Sequence, residues 1–166
     1  MRQCAHPQDL PAADGLGDHL DEHPRFRRLA EYLKSKAPPG KLAGRQAIEP
    51  TEIGDLLPWI MLIDVIPRPE GDPRYRIRLV GTEVVAIQGS DGTGKHVEEV
   101  LDDPAVASII QGYHETVVSH EPQYRNGVVA TAGREHVPYR RIAFPLARDG
   151  ETVDMLIFVF VRDRAE

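Results

Sequence analysis

The stretch that decides the fold is Tyr75–Leu101, YRIRLVGTEVVAIQGSDGTGKHVEEVL. Residues 75–80 alternate polar and apolar side chains, which predicts a half-buried strand. Residues 82–89 predict a short helix that Thr82 caps and Gly89 ends. The glycine-rich run that follows predicts a turn, and one more helical turn comes after it. A strand, a helix and a tight turn therefore succeed one another within this single segment.

The run GSDGTGKH, residues 89–96, matches G-x-x-x-x-G-K, which is all but the last position of a phosphate-binding loop. Such a loop needs a strand directly before its first glycine, a helix directly after Lys95, and Ser or Thr where this chain has His96. The residues before the first glycine predict a helix instead. The favoured interpretation is a turn in which Asp91 and Thr93 bond to nearby backbone. A nucleotide-binding enzyme stays as an alternative.

Upstream of this segment, residues 1–20 lack periodicity and predict a flexible tail. Apolar residues at helical spacing follow, and they predict an amphipathic helix over 24–38. The run PTEIGDLL from Pro50 predicts a second, short helix. The β-rich run 59–66 then predicts a strand, which forms a hairpin with the strand over 75–80.

Downstream, Asp103-Pro104 predicts the start of a longer helix with an apolar stripe that includes Tyr113. Three further strands are predicted over 124–133, 137–147 and 153–161. The last of them is apolar at successive positions, so both of its faces should be covered. Strands placed before and after a helical middle favour an α+β fold with an antiparallel sheet and helices packed across it.

Composition excludes several functional classes. The net charge is −6 and the sequence pI is about 5.6, so the long-range field repels nucleic acid and anionic membranes. The single cysteine, Cys4, is too little for a disulfide or a structural zinc site. The longest apolar run, Met155–Val161, is far shorter than a membrane span. The N-terminus has no apolar core of a secretory signal, and we expect a cytoplasmic protein.

The segment 75–101 resembles PAS domains, and it is most similar to a bacterial subfamily of small, standalone PAS proteins. The resemblance extends over about 44–162, because the stretches IEPTEIGDLLP and RRIAFPLARDGETVD are similar to the lead-in and to the final hairpin of that subfamily. Two departures are Glu49 in place of Asp, and Tyr75 one residue early with Ile77 at the aromatic position. The motif positions are Arg78, Gly81, Thr82, Gly89, Asp91, Thr93, Gly94 and Lys95.

The resemblance implies a PAS-like five-stranded antiparallel sheet with helices packed on one face. It places the PAS domain at 44–163 and leaves the amphipathic helix as an N-terminal extra. Such domains often hold a small ligand between sheet and helices, and they signal through the sheet or a flanking helix. We expect no output domain in cis and therefore expect signalling by contact, through a homodimer or a partner signalling protein. The N-terminal helix is free either to cover the outer sheet face or to pair with another copy. The helix 24–36 and an exposed sheet face are the expected contact surface.

Apolar walls with a few polar anchors are typical of a small-ligand site. The alternative for each tyrosine is core packing, and the alternative for the arginines is cross-strand ion pairing. An ion pair between Arg78 and Asp91 is expected to hold the glycine loop. The candidate ligand-binding residues are Tyr75, Tyr113, Tyr139, Arg141 and Trp59.

No cofactor is required by the sequence. A flavin photosensor of this family needs a cysteine beside the ring, and Cys4 lies in the tail. A haem sensor needs an axial ligand, for which His96 and His114 are candidates against the alternative of surface histidines. No C-x-x-C or G-x-S-x-G pattern is present, and the spacing of His19 and His23 is interpreted as accidental, so neither a metal site nor a catalytic constellation is predicted.

Overall fold

The computed structural model describes residues 16–101, 105–129, 133 and 137–163. From the first strand onward, the helices and strands over these residues follow the predicted order. They are α1 (Leu16–Leu20), α2 (Pro24–Lys36), β1 (Ile60–Ile66), β2 (Arg74–Val80), α3 (Thr82–Gln88), α4 (Val97–Val100), α5 (Ala105–Ser119), β3 (Gln123–Val128), β4 (Pro138–Leu146) and β5 (Met155–Arg162).

The five strands form one sheet in the order β2-β1-β5-β4-β3, and each neighbouring pair is antiparallel. The predicted α+β fold with a five-stranded antiparallel sheet is confirmed. The central strands β1 and β5 are buried at nearly every position. The prediction that the last strand is covered on both faces is therefore also confirmed, because apolar residues at successive positions point to opposite faces of a sheet.

Each face of the sheet carries its own hydrophobic core. Ile60 and Leu62 of β1 point to the face covered by α2, here called the outer face. Met61 and Ile63 point to the opposite face, the inner face, where α3, α4 and α5 pack. The period-two alternation of a strand sends neighbouring side chains to the two cores.

Helix α2 begins where the sequence predicts, with Pro24 in its first turn and with His23 Nδ1 accepting a hydrogen bond from the Arg25 N–H at 3.1 Å. Its apolar stripe lies on the outer face, where Phe26 and Leu29 are completely buried. The expectation that this sheet face is exposed is therefore wrong. The chain covers it with its own helix, because a bare sheet face of this size would leave a large apolar area in water.

Two local predictions differ from the structure, and a third falls outside the described residues. Residues 16–20 of the predicted tail form α1, whereas residues 1–15 lie outside the described residues. The run that begins at Pro50 forms 3₁₀ turns, Pro50–Ile53 and Leu57–Trp59, rather than an α-helix, since the prolines remove backbone donors. The predicted helix start at Asp103-Pro104 lies outside the described residues.

Of the two predicted ends of α3, the start is wrong and the end is confirmed. Gly81 is the N-cap residue of this helix, and no side chain bonds to the first turn, so the predicted cap by Thr82 is wrong. Thr82 is instead the first helical residue. Gly89 ends the helix as predicted, with a left-handed φ of 88° that glycine adopts without a steric penalty.

Candidate functional site

The glycine loop GSDGTGKH runs along the exposed edge of β2. The Gly94 N–H donates to the Ile77 carbonyl at 2.8 Å, and the Ile77 N–H donates to the Lys95 carbonyl at 2.9 Å. The loop therefore pairs with an edge strand that would otherwise present free backbone groups. Asp91 Oδ1 accepts from the N–H of Thr93 at 2.9 Å and from its hydroxyl at 2.5 Å, which is the local bonding that the sequence predicts.

This geometry does not fit a phosphate-binding loop. Helix α3, and not a strand, leads directly into Gly89, and the sheet is antiparallel. The helix after Lys95 is α4, which has four residues and offers little helix dipole to an anion. The nucleotide-binding alternative is therefore wrong for this loop.

Arg78 bonds to a different acid from the one that the sequence suggests. Its Nε lies 3.3 Å from Asp64 on β1, and Arg76 Nη2 lies 3.2 Å from the same carboxylate. The predicted pair with Asp91 is wrong, because strand alternation turns Arg78 to the outer face beside Asp64. Asp91 bonds within its own loop instead.

Two adjoining cavities lie between the inner face and helices α3 to α5. Their volumes are about 20 and about 40 Å³. Both are walled by Met61, Gln88, Leu101 and Tyr113, so little more than these side chains separates them. Apolar walls with a few polar groups are typical of small-molecule sites.

Arg141 is the charged group at the larger cavity. Only 5% of its surface is exposed, and its Cζ lies 4.8 Å from the ring centre of Phe158 and 5.3 Å from that of Tyr113. These are cation–π distances. Within residues 16–101, 105–129 and 137–163, no carboxylate lies within ion-pair distance of Arg141. The guanidinium thus has aromatic neighbours and a cavity but no described counter-charge.

A second arginine lies directly opposite it across the sheet. Arg125 on β3 pairs in register with Arg141 on β4, so both side chains point to the inner face. Arg125 Nη2 is hydrogen-bonded to the Ser108 hydroxyl of α5 at 3.3 Å. The two arginines also share the wall of a smaller recess of about 10 Å³.

The candidate tyrosines divide between the cavity and the core beside it. Tyr113 and Tyr139 line the larger cavity together with Arg141. Burial raises the pKa of Tyr113 above its usual range, against the opposing effect of Arg141. Tyr75 packs edge-on against Tyr113 with ring centres 5.4 Å apart, but it does not line either cavity. Burial raises the pKa of Tyr75 to about 12, and its hydroxyl has no hydrogen-bond partner in the described structure.

Trp59 lies away from the cavities. Its ring is stacked under the guanidinium of Arg25, whose Cζ is 3.6 Å from the ring centre. It is partly buried at the boundary of both cores. The structure therefore brings Tyr113, Tyr139 and Arg141 together and leaves Trp59 apart.

The two candidate haem ligands do not face a haem-sized space. His114 Nε2 lies 3.3 Å from Asp72 Oδ1 at the surface. His96 precedes the first turn of α4, where its backbone N–H donates to Glu99 Oε2 at 2.7 Å. Neither histidine lines the two cavities, whose volumes are far below that of a porphyrin. The residues present do not fit haem. No cluster of three metal-ligating side chains occurs among the described residues either.

Two residues of the site were missed from the sequence. Gln88 closes both cavities from the last turn of α3, and its amide Nε2 lies 4.0 Å from the Met61 sulfur. For Arg125 the sequence pattern predicts only a position within a strand and no role in the site. The signal for it was its position beside Tyr124, since neighbours in a strand face opposite sides and Tyr124 belongs to the outer core.

None of the helices over the described residues is both long enough and apolar enough to cross a bilayer. No family model matches the chain, and no curated protein matches it. Among solved structures it is similar to the PAS domain from Bordetella pertussis BvgS, with 17% sequence identity and a TM-score of 0.39, over 71% of this chain and 88% of that chain. The five-stranded antiparallel sheet, with α3 to α5 on the inner face and the extra N-terminal helix on the outer face, is the PAS-like architecture that the sequence resemblance implies.

Proposed function

We propose that this protein is a sensory or regulatory PAS module that binds a small ligand between the sheet and helices α3 to α5. The observation that carries the proposal is Arg141, a buried guanidinium at a cavity wall without a described carboxylate partner. Removing a cation from water is costly unless another group compensates for the lost hydration. A bound ligand supplies that compensation, and the proposal assigns no catalytic step to the chain.

The signal leaves through the N-terminal helices. Arg140 is the neighbour of Arg141 in β4, so its side chain points to the opposite, outer face. There its Nη1 lies 3.0 Å from Oε2 of Glu22, a residue between α1 and α2. A change at Arg141 therefore reaches the N-terminal helices through one neighbouring residue of β4. The contact with a second copy or with a partner protein then uses the solvent side of α2, since its apolar side is buried on the sheet.

Native mass spectrometry of the protein purified without denaturation tests the ligand. A small molecule should appear as a mass excess over the chain, and denaturing conditions should remove it. Arg141→Met should lose the excess, whereas Arg78→Met, which removes an arginine from the outer face, should keep it. A bare chain mass for the wild type, together with no change of melting temperature across a panel of small metabolites, would contradict the proposal.

The contact is tested by the solution mass from light scattering. Charge reversal of Arg27 and Lys34 on the exposed side of α2 should reduce a dimeric mass to that of one chain, or release a captured partner. Reversal of Arg68, in the loop between β1 and β2, is the matched control. If the control and the α2 variant behave alike, α2 is not the contact.

A further inference from the structure

The two inner-face arginines form an arrangement that the fold alone does not explain. Arg125 and Arg141 are direct cross-strand partners, and like charges directly opposite each other destabilise a sheet. Their described contacts are the Ser108 hydroxyl and the rings of Tyr113 and Phe158, and none of these is an anion. Elsewhere in the described chain an arginine pair does have a counter-charge, since Arg76 and Arg78 share the carboxylate of Asp64.

The surroundings of Arg141 are those of a recognition site. The guanidinium is more than nine-tenths buried and lines the larger cavity. Its planar fork matches a carboxylate in two parallel hydrogen bonds. The amide of Gln88 and the ring of Tyr139 face the same cavity, and the remaining wall is apolar, with Met61 and Phe160.

The cavity volume limits the size of the ligand. The two adjoining cavities measure about 20 and about 40 Å³. A water-sized group needs about 10–15 Å³ on this measure, so the larger cavity alone accepts about three to four non-hydrogen atoms and the two cavities together accept about four to six. Propionate, with a carboxylate and a two-carbon chain, is of this size. Inorganic phosphate offers no apolar part for the Met61 and Phe160 walls.

We infer that the cavity binds a short aliphatic monocarboxylate, of the size of acetate to butyrate, whose carboxylate pairs with Arg141 and is further stabilised by the charge of Arg125. This inference rests on the proposed function and specifies its ligand class. The apolar end of the ligand lies against Met61 and Phe160, and the amide of Gln88 donates to the ligand or to a water beside it.

Calorimetric titration and thermal melting with sodium propionate test the inference. Propionate at about 100 times its Kd should raise the Tm by about 5–10 °C. Propionamide, which has the same shape without the charge, and sodium chloride at equal ionic strength should leave the Tm unchanged. Equal shifts from propionate and propionamide, or a larger shift from inorganic phosphate, would overturn the inference.

Variants separate binding from folding. Arg141→Met should raise the Kd for propionate about 10–100-fold, and without ligand it should be at least as stable as the wild type, because a buried charge that lacks a described counter-charge is gone. Arg141→Lys keeps the charge without the fork and should weaken binding by a smaller factor, which covers the case that Arg141→Met does not fold. Arg78→Met, the matched control on the outer face, should bind as the wild type does. Retention of full affinity in Arg141→Met or Arg141→Lys contradicts the assignment.

These experiments distinguish a wrong ligand class from a wrong proposed function. If native mass spectrometry finds a retained neutral compound while no monocarboxylate shifts the Tm, the carboxylate inference is wrong and the sensory function stands. If no compound is retained and none shifts the Tm, both are wrong.

Discussion

At the scale of single residues, Tyr75 and Tyr124 are both buried but their hydroxyls have opposite surroundings. The Tyr75 hydroxyl has no partner in the described structure, whereas the Tyr124 hydroxyl donates to Glu22 Oε2 at 2.8 Å. We therefore expect Tyr75→Phe to leave the free energy of unfolding unchanged or to raise it by up to about 1 kcal/mol. Tyr124→Phe should lower it by about 1–2 kcal/mol, because a carboxylate loses a donor. Urea unfolding at pH 7 measures both, and a clear loss in Tyr75→Phe would mean that its hydroxyl is hydrogen-bonded.

Gly81 is required for a steric reason rather than for its backbone angle. Its φ of −67° suits any residue, but a side chain there would collide with the carbonyl oxygens of Leu57 and Pro58. These are backbone atoms of the 3₁₀ turn Leu57–Trp59, directly before β1, and they cannot move aside. Gly81→Ala should lower the free energy of unfolding by about 2–4 kcal/mol. Gly54→Ala is the control, since Gly54 has helical angles and open space around its Cα; it should be neutral or slightly stabilising.

Residue partners were the least predictable part of the site. The alternation of β2 correctly predicts that Tyr75 and Ile77 share a face, but the partner of Arg78 depends on how β1 aligns with β2. That register contains an irregularity between Leu62 and Ile63, which no local pattern encodes. The choice of Asp91 over Asp64 as the partner of Arg78 failed for this reason.

At the scale of elements, Glu22 joins the N-terminal helices to the sheet. Burial alone would raise the pKa of Glu22, but hydrogen bonds from His19, Tyr124 and Arg140 outweigh burial and lower it below 4.5. A carboxyl whose pKa is depressed on folding stabilises the fold above its unfolded pKa, and the stabilisation is lost as the pH falls through the folded pKa.

Glu22→Gln should therefore lower the free energy of unfolding by about 1–2 kcal/mol at pH 7. The difference from the wild type should shrink as the pH falls from about 5 to about 3, since Glu22 in the wild type becomes neutral as well. Urea titrations at several pH values measure the difference. Glu31→Gln, on the exposed side of α2, is the control and should change the free energy of unfolding only slightly at pH 7. If the difference in the free energy of unfolding between Glu22→Gln and the wild type widens toward low pH, the lowered pKa of Glu22 is contradicted.

Elements with a strong local pattern were predicted almost to the residue. Helix α3 spans Thr82–Gln88 and ends at Gly89 as the sequence indicates, because the left-handed glycine is a local requirement. The apolar stripe of α2 does not predict the surface on which the helix packs. An amphipathic helix fits a sheet face of its own chain as well as a second copy, and only the packing of Phe26 on the outer face decides between them.

At the scale of the whole molecule, one sheet separates two cores, and Trp59 contacts both. The apolar run of β5 already implies this arrangement, since a strand buried on both faces requires a layer on each side. The cavity could not be predicted in the same way. The cavity is the small space that the side chains between the sheet and helices α3 to α5 leave unfilled. Its volume therefore depends on every one of those side chains.

The shared sheet predicts that the two cores unfold together. Phe26→Ala in the outer core should lower the free energy of unfolding by about 3–5 kcal/mol and the Tm by about 10 °C. Ile87→Ala in the inner core should have a similar effect of about 2–4 kcal/mol. In both variants the fluorescence of Trp59, the only tryptophan, should follow the same transition as the circular dichroism. Val118→Ala, at an exposed position of α5, is the control and should change the stability by less than about 0.5 kcal/mol. If Phe26→Ala instead shows an early helical loss before the Trp59 transition, α2 is a separately melting layer, and its release from the sheet is then itself available as a signalling step.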